Sequence, residues 1–469
     1  MAIEGQPVER LRQFLRQLSP EARALLIAEL ERGALRGEET AGGDFVLEEV
    51  RRAVRESGRP TPRIGNPARL FFHPIEPFLV DDRPVNKHRG RIARVSLEPI
   101  WEWICRDLAP TEARTFADDV TAALLAEQAA VSLQLCRTFQ DQVATRIQEA
   151  LAEIQTDDKA RRRLAGQVGT PRAIEDVRDI FRILKARDVL DVMAERLPDH
   201  IQNLSDAPLE SVAAALESPA LRQSNAFQFA LILVMTRLAA PWQLIRVAVK
   251  AAESDDAARI AATPYATAVE IVLAEIERMV GELKTDLKRG GSGLIATLKW
   301  IHDAARGLHT ELDLAADSPW GRQLASIRTD VSNTLKAEIE SIPGRVRRML
   351  RPRPASEIAP GAALDPMDVA ETETAVEFIG ACRIFAGELA VSEITQRAHG
   401  ELQQFLDSGT QALLDGLRNA GAADRQFRQS QVDAAVRLCA KVFGQEYASL
   451  LSKAAEVAAN AERKAAAKA

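Results

Sequence analysis

Apolar residues recur along most of this chain every three or four positions, the spacing that lines one face of a 3.6-residue helix and buries it against another. Val8, Leu11, Leu15 and Leu18 make the first such row. It stops at Ser19-Pro20, a capping hydroxyl followed by a first-turn proline, and a second helix follows with Leu25, Leu26 and Leu30, ending near Gly33. A short third helix is predicted over 45–56. Residues 111–156 contain neither proline nor glycine and are predicted to form one long helix or two. Four later helices open on the same punctuation, at Thr170-Pro171, Ser218-Pro219, Thr263-Pro264 and Ser318-Pro319. These starts are spaced like helix-pair repeats, although the residues between them do not resemble one another.

Two stretches interrupt the pattern. Over 57–84, Pro60, Pro62, Pro67, Pro74, Pro77 and Pro84 exclude a regular helix. The middle of that stretch, 70–80, is too apolar for a free linker and is expected to lie extended along the helical body. One short strand is predicted within 91–95, and then Ser96 is expected to cap a helix through Trp101, Trp103 and Ile104. The second interruption carries Pro343, Pro352, Pro354, Pro360 and Pro366. Beyond it, Val376, Ile379, Ile384, Leu389 and Ile394 open a helical hairpin, continued by Val432, Val436, Leu438, Val442 and Leu450. From Ala458 the alanine-rich tail is expected to fray.

The expected fold is therefore all-α: an elongated multi-helix bundle or an irregular helical-repeat array, with one proline-rich extended segment and a C-terminal helical hairpin. The expected organisation is short helices over 1–56, the proline-rich segment over 57–95, a central helical domain over 96–342, a proline- and arginine-rich linker over 343–368, and the C-terminal hairpin over 369–469.

Composition agrees with this reading. Of 469 residues, 46% are hydrophobic and 27% charged, the balance of a globular protein, and the length suits several packed units. The net charge of −6 provides no global positive field for nucleic acid or anionic lipid, so any such binding has to be local. The first ten residues hold Glu4 and Glu9 and no apolar core, so no cleaved secretory signal is expected. The longest charge-free run, 223–236, is shorter than the roughly 20 apolar residues of a spanning helix. It is expected to be a buried helix, part of a hairpin resumed by Trp242, Leu244, Ile245 and Val247. The alternative is an interfacial lipid element bordered by Arg237 and Arg246. Cys105, Cys136, Cys382 and Cys439 stand singly, which fits buried thiols in a reducing, cytoplasmic setting.

Few residues suggest chemistry. The segment 73–94 gathers His73, Glu76, Asp81, Asp82, Lys87, His88, Arg89, Arg91 and Arg94 beside apolar anchors. Its candidate pocket or docking residues are Phe71, Phe72, His73, Phe78, His88, Arg89 and Arg91, and no triad, metal or phosphate-loop spacing is present. Lys288-Arg289-Gly290-Gly291-Ser292-Gly293 lacks the order of a phosphate loop and is expected to be a turn. His302 and His309 lie seven apart, too far to share one ion from a single helix, and His200 and His399 stand alone. Arg345, Arg347, Arg348, Arg351 and Arg353 form a candidate anion-binding run without interleaved aromatic residues. No cofactor or metal is expected. The leading expectation is a non-enzymatic interaction or scaffold protein that works through helix–helix contacts, with a protein partner or self-association. Two alternatives stand beside it: a peripheral binder of anionic lipid or nucleic acid using the arginine run, and an enzyme with its site around 73–94.

Overall fold

The structure is a computed structural model that describes residues 14–15, 18–36, 38, 42–56, 65–81, 87–222, 225–289 and 293–466. Apart from Phe14, Leu15 and Leu18, the helix expected over 8–18 lies outside the described residues, as do Pro60, Pro62, Asp82, Pro84 and 290–292. The fold is all-α, and among the described residues the strands amount to one pair of two residues each. The chain divides into two compact units, Met1–Leu197 with Ala215–Leu233, and Pro198–Ala214 with Val234–Ala469.

The first unit holds α1 (Pro20–Leu35), α2 (Gly43–Glu56), α3 (Pro67–Phe71), α4 (Leu97–Trp103), α5 (Pro110–Leu125), α6 (Ala129–Thr156), α7 (Asp158–Gln167) and α8 (Ala173–Arg196). Helices α1 and α2 close a small core of Leu15, Ile27, Val50 and Val54. The predicted run over 111–156 is two helices, because Glu127 turns the chain with a left-handed φ of 55°. No glycine or proline announces that break. Its side chain reaches Arg32 at 2.7 Å, which ties the turn to α1.

Residues 65–80 correct the expectation of an extended segment. Pro67 sits in the first turn of α3, where its missing N–H is not needed, and Asn66 caps that helix by accepting from the Arg69 N–H at 2.8 Å. A 3₁₀ helix, His73–Phe78, follows with Pro74 in its own first turn. Leu79–Val80 (β1) then pairs in parallel with Ile92–Ala93 (β2), a strand shorter than the one expected within 91–95. Gly90, at φ +67°, makes the turn before β2, and a Cβ there would lie 2.2 Å from Ile232 Cδ1. Phe71 meets Phe139 and Trp101 at 5.4 Å, and Phe139 stacks on Phe116 at 4.4 Å, so the proline-rich segment supplies core and does not merely cross it.

Helices α9 (Asp206–Leu216) and α10 (Pro219–Arg222) lead to α11 (Phe227–Arg237), the charge-free run. Every residue from 229 to 235 is buried, as expected of an interior helix. No described helix is long and apolar enough to cross a membrane.

The second unit continues with α12 (Ile245–Ala252), α13 (Ala257–Ala261), α14 (Ala266–Arg289), α15 (Leu294–Glu311) and α16 (Pro319–Met349). Ser318 caps α16 as its sequence suggests, accepting from the Gly321 N–H at 3.0 Å. Thr170 and Thr263 hydrogen-bond within turns, and the helices after them start at Ala173 and Ala266. Pro343 does not end α16. The helix runs on through it, because Ile339, Ile342, Val346 and Leu350 keep burying one continuous face.

After Met349 come α17 (Pro366–Ile384), α18 (Ser392–Arg418), α19 (Arg425–Phe443) and α20 (Gln445–Ala466). The C-terminal block is thus four helices where one hairpin was expected. The tail does not fray at Ala458, which is 1% exposed, because Ala448, Leu451, Ala455 and Ala458 form a buried stripe along α20.

Candidate functional site

Several charges of the described part of 73–94 are paired within the protein. Lys87 Nζ lies 2.6 Å from Asp176 Oδ1 and 2.9 Å from Asp179 Oδ2, with Asp176 fully buried on α8. The Ser96 hydroxyl donates to the other Asp176 oxygen at 2.7 Å, so Ser96 does not cap α4. Arg94 pairs with Asp81 at 2.6 Å and with Glu76 at 3.4 Å. Arg91 donates to the Pro77 carbonyl at 3.4 Å. Phe71, Phe72 and Phe78 are 0%, 4% and 1% exposed and offer no docking patch. His73 and Arg89 are exposed and His88 is half-buried. The structure therefore shows a clasp that fastens β2 to α8, with its ions committed to one another.

The other expected loci separate in the same way. His302 lies against Phe385 at 4.9 Å and beside Asp303 at 3.0 Å, while His309 faces Glu388 at 3.2 Å. His200 meets Gln202 at 3.1 Å. His399 is buried with the Arg383 guanidinium 3.1 Å from Nε2. Burial first, and then the arginine charge, hold its pKa below the usual histidine value. One turn earlier the Thr395 hydroxyl is buried without a hydrogen-bond partner. Burial pushes the Cys136 thiol up to about 11 and those of Cys382 and Cys439 up to about 12, the opposite of an activated nucleophile. Among the described residues no group of three histidine, cysteine or acidic side chains is arranged to hold a metal ion.

The arginine run is only partly consumed. Arg345 pairs with Glu338 and Arg347 with Glu401, each at 3.0 Å, and Arg353 lies over the Phe427 ring at 5.1 Å. Arg348 and Arg351 are exposed. The backbone that carries them is pinned to α19: Gln431 donates to the Arg351 carbonyl at 3.0 Å, and Arg428 to the Arg353 carbonyl at 3.2 Å.

No family model, curated protein or solved structure matches the chain.

Among the described residues, the C-terminal helices of the second unit enclose two concavities. An open groove of about 410 Å³ runs between α17, α19 and α20. Val436, Ala440 and Ala448 floor it, and Gln445, Ser449 and Ser452 edge it along α20. Arg437 Nε stands 2.9 Å from Glu373 Oε1 but off the hydrogen-bond direction, and Lys441 pairs with Glu377. A smaller, more enclosed cavity of about 110 Å³ lies between the end of α16 and α18, with Leu350, Pro352, Phe405, Gly409 and Leu413 among its walls. Reading the sequence locally missed both. Four-residue spacing of Glu373 with Glu377, and of Arg437 with Lys441, marks an ordinary helix surface, and only packing three helices together makes those residues a groove.

Proposed function

We propose that this chain is a non-enzymatic interaction protein that receives an amphipathic helix of a partner in the groove between α17, α19 and α20. The observation that carries this reading is the groove floor. Val436, Ala440 and Ala448 are small, so an incoming helix can come within the roughly 8–10 Å at which helices pack. The rim supports a helical guest, since ion pairs of Glu373 with Arg437 and of Glu377 with Lys441 close the seam between α17 and α19 along one bank, while Gln445, Ser449 and Ser452 of α20 form the other. A guest helix with an apolar stripe, flanked by charged residues on one side and hydrogen-bonding residues on the other, meets complementary groups on each bank. Supporting the non-enzymatic side, Lys87 is tied up in the clasp with Asp176 and Asp179, Arg94 is paired with Asp81 and Glu76, and burial raises the pKa of the Cys382 thiol.

The test is light scattering of the purified full chain, alone and after tagged co-purification, alongside Ala440→Arg and Ala448→Arg. The expected result is a stoichiometric helical partner, identified by mass, that both substitutions release while the helical circular dichroism is unchanged. A partner retained by both variants, or a monomer that captures nothing, removes the reading.

A further inference from the structure

We propose that the cavity between the end of α16 and α18 binds a small organic anion carrying one compact apolar group, such as a branched-alkyl or phenyl-substituted carboxylate. Three observations converge on that ligand.

The first is the space itself. At about 110 Å³ the cavity is somewhat smaller than the roughly 150 Å³ void that takes up benzene, so it has room for an isobutyl or similarly compact group. Its walls are apolar. The one hydroxyl among them, on Thr410, already donates to the Asp407 carbonyl at 3.2 Å, so an apolar guest strands no polar atom.

The second is Gly409. Glycine is among the poorest residues for a helix interior, yet α18 carries one at the cavity wall, and a Cβ there would meet nothing within 4 Å. Alanine would fit the fold and improve the helix. A glycine facing an unfilled apolar space keeps that space open for a guest.

The third is charge. The stretch that lends Leu350 and Pro352 to the wall also carries Arg348, Arg351 and Arg353, with Arg345 and Arg347 just before. Among the described residues, ion pairs join these five guanidinium groups to two carboxylates, Glu338 and Glu401. Glu401 stands one helical turn before the wall residue Phe405. Hydrogen bonds from Gln431 and Arg428 to its carbonyls hold the backbone of this stretch in place, and Arg351 sits between the wall residues Leu350 and Pro352, so positive charge is carried next to the cavity. That field selects an anion over a cation of the same shape.

Titration calorimetry on the full chain tests this with 4-methylpentanoate and 3-phenylpropanoate, using propanoate and isopentylamine as controls. One site is expected, with affinity rising about fourfold for each buried methylene, so that 4-methylpentanoate binds roughly 60-fold tighter than propanoate. The amine should bind at least about tenfold more weakly than the acid of matching shape, and the acid should weaken as salt is added. Gly409→Leu should fill the cavity and abolish binding. Gly409→Ala, which keeps the fold in any case, should narrow the cavity and weaken it. Arg348→Gln with Arg351→Gln should erase the preference for acid over amine and leave the dependence on the apolar group. Absence of saturable heat, binding unchanged in both Gly409 variants, or equal affinity for acid and amine overturns the proposal. So does binding only to anionic vesicles and not to the monomeric acids.

Discussion

Asp176 shows how one side chain can decide a local structure. It is fully buried on α8, yet it accepts from Lys87 and Ser96, so its charge is compensated on both oxygens. Replacing it with alanine leaves Lys87 with Asp179 and the Arg91 carbonyl and strands the Ser96 hydroxyl. Asp176→Ala is expected to cost about 3 kcal/mol of stability, read as a lowered urea midpoint, and a loss below about 1 kcal/mol would contradict the clasp. The sequence shows Lys87 and Ser96 as ordinary polar residues. Their partner lies 80 or more positions away on another helix, and no local pattern encodes that distance.

Elements proved legible where the local rule is strong and illegible where tertiary contacts override it. Ser318-Pro319 starts α16 as capping chemistry requires. Pro343, which by the same reasoning ought to stop that helix, does not, because buried Ile339, Ile342 and Val346 flank it and outweigh the lost hydrogen bond. Helix α12 ends on Glu253 at φ 48°, a left-handed residue that the sequence does not advertise and that glycine would adopt without strain. Glu253→Gly is expected to raise the unfolding free energy by about 0.5–1 kcal/mol. A lower thermal midpoint would show instead that the Glu253 side chain holds a contact that matters more than its backbone strain.

Across the whole molecule, burial governs how protons and thiols behave. His399 has a folded pKa below its unfolded value, so the folded state binds fewer protons than the unfolded one around and below pH 6.5. The corresponding stability is fully present above that value and drains away as pH falls through the depressed range. The paired carboxylates Asp141 and Asp424, also depressed, withdraw theirs only nearer pH 4. The urea midpoint should therefore drop between pH 7.5 and 5.5, and His399→Gln should flatten the drop; an equal midpoint at both values refutes it. The same burial keeps Cys136, Cys382 and Cys439 from a thiol reagent at pH 8, with half-buried Cys105 the native chain's reactive thiol. Fold class was written into the three-to-four-residue recurrence of apolar side chains, since a helix needs only its own neighbours in sequence to define the face it must bury. The clasp on α8, the helix that survives Pro343, the groove of α17, α19 and α20 and the void at Gly409 were settled by packing alone. Each depends on which distant faces meet, and residues remote in sequence choose one another through volume and charge that no local period records.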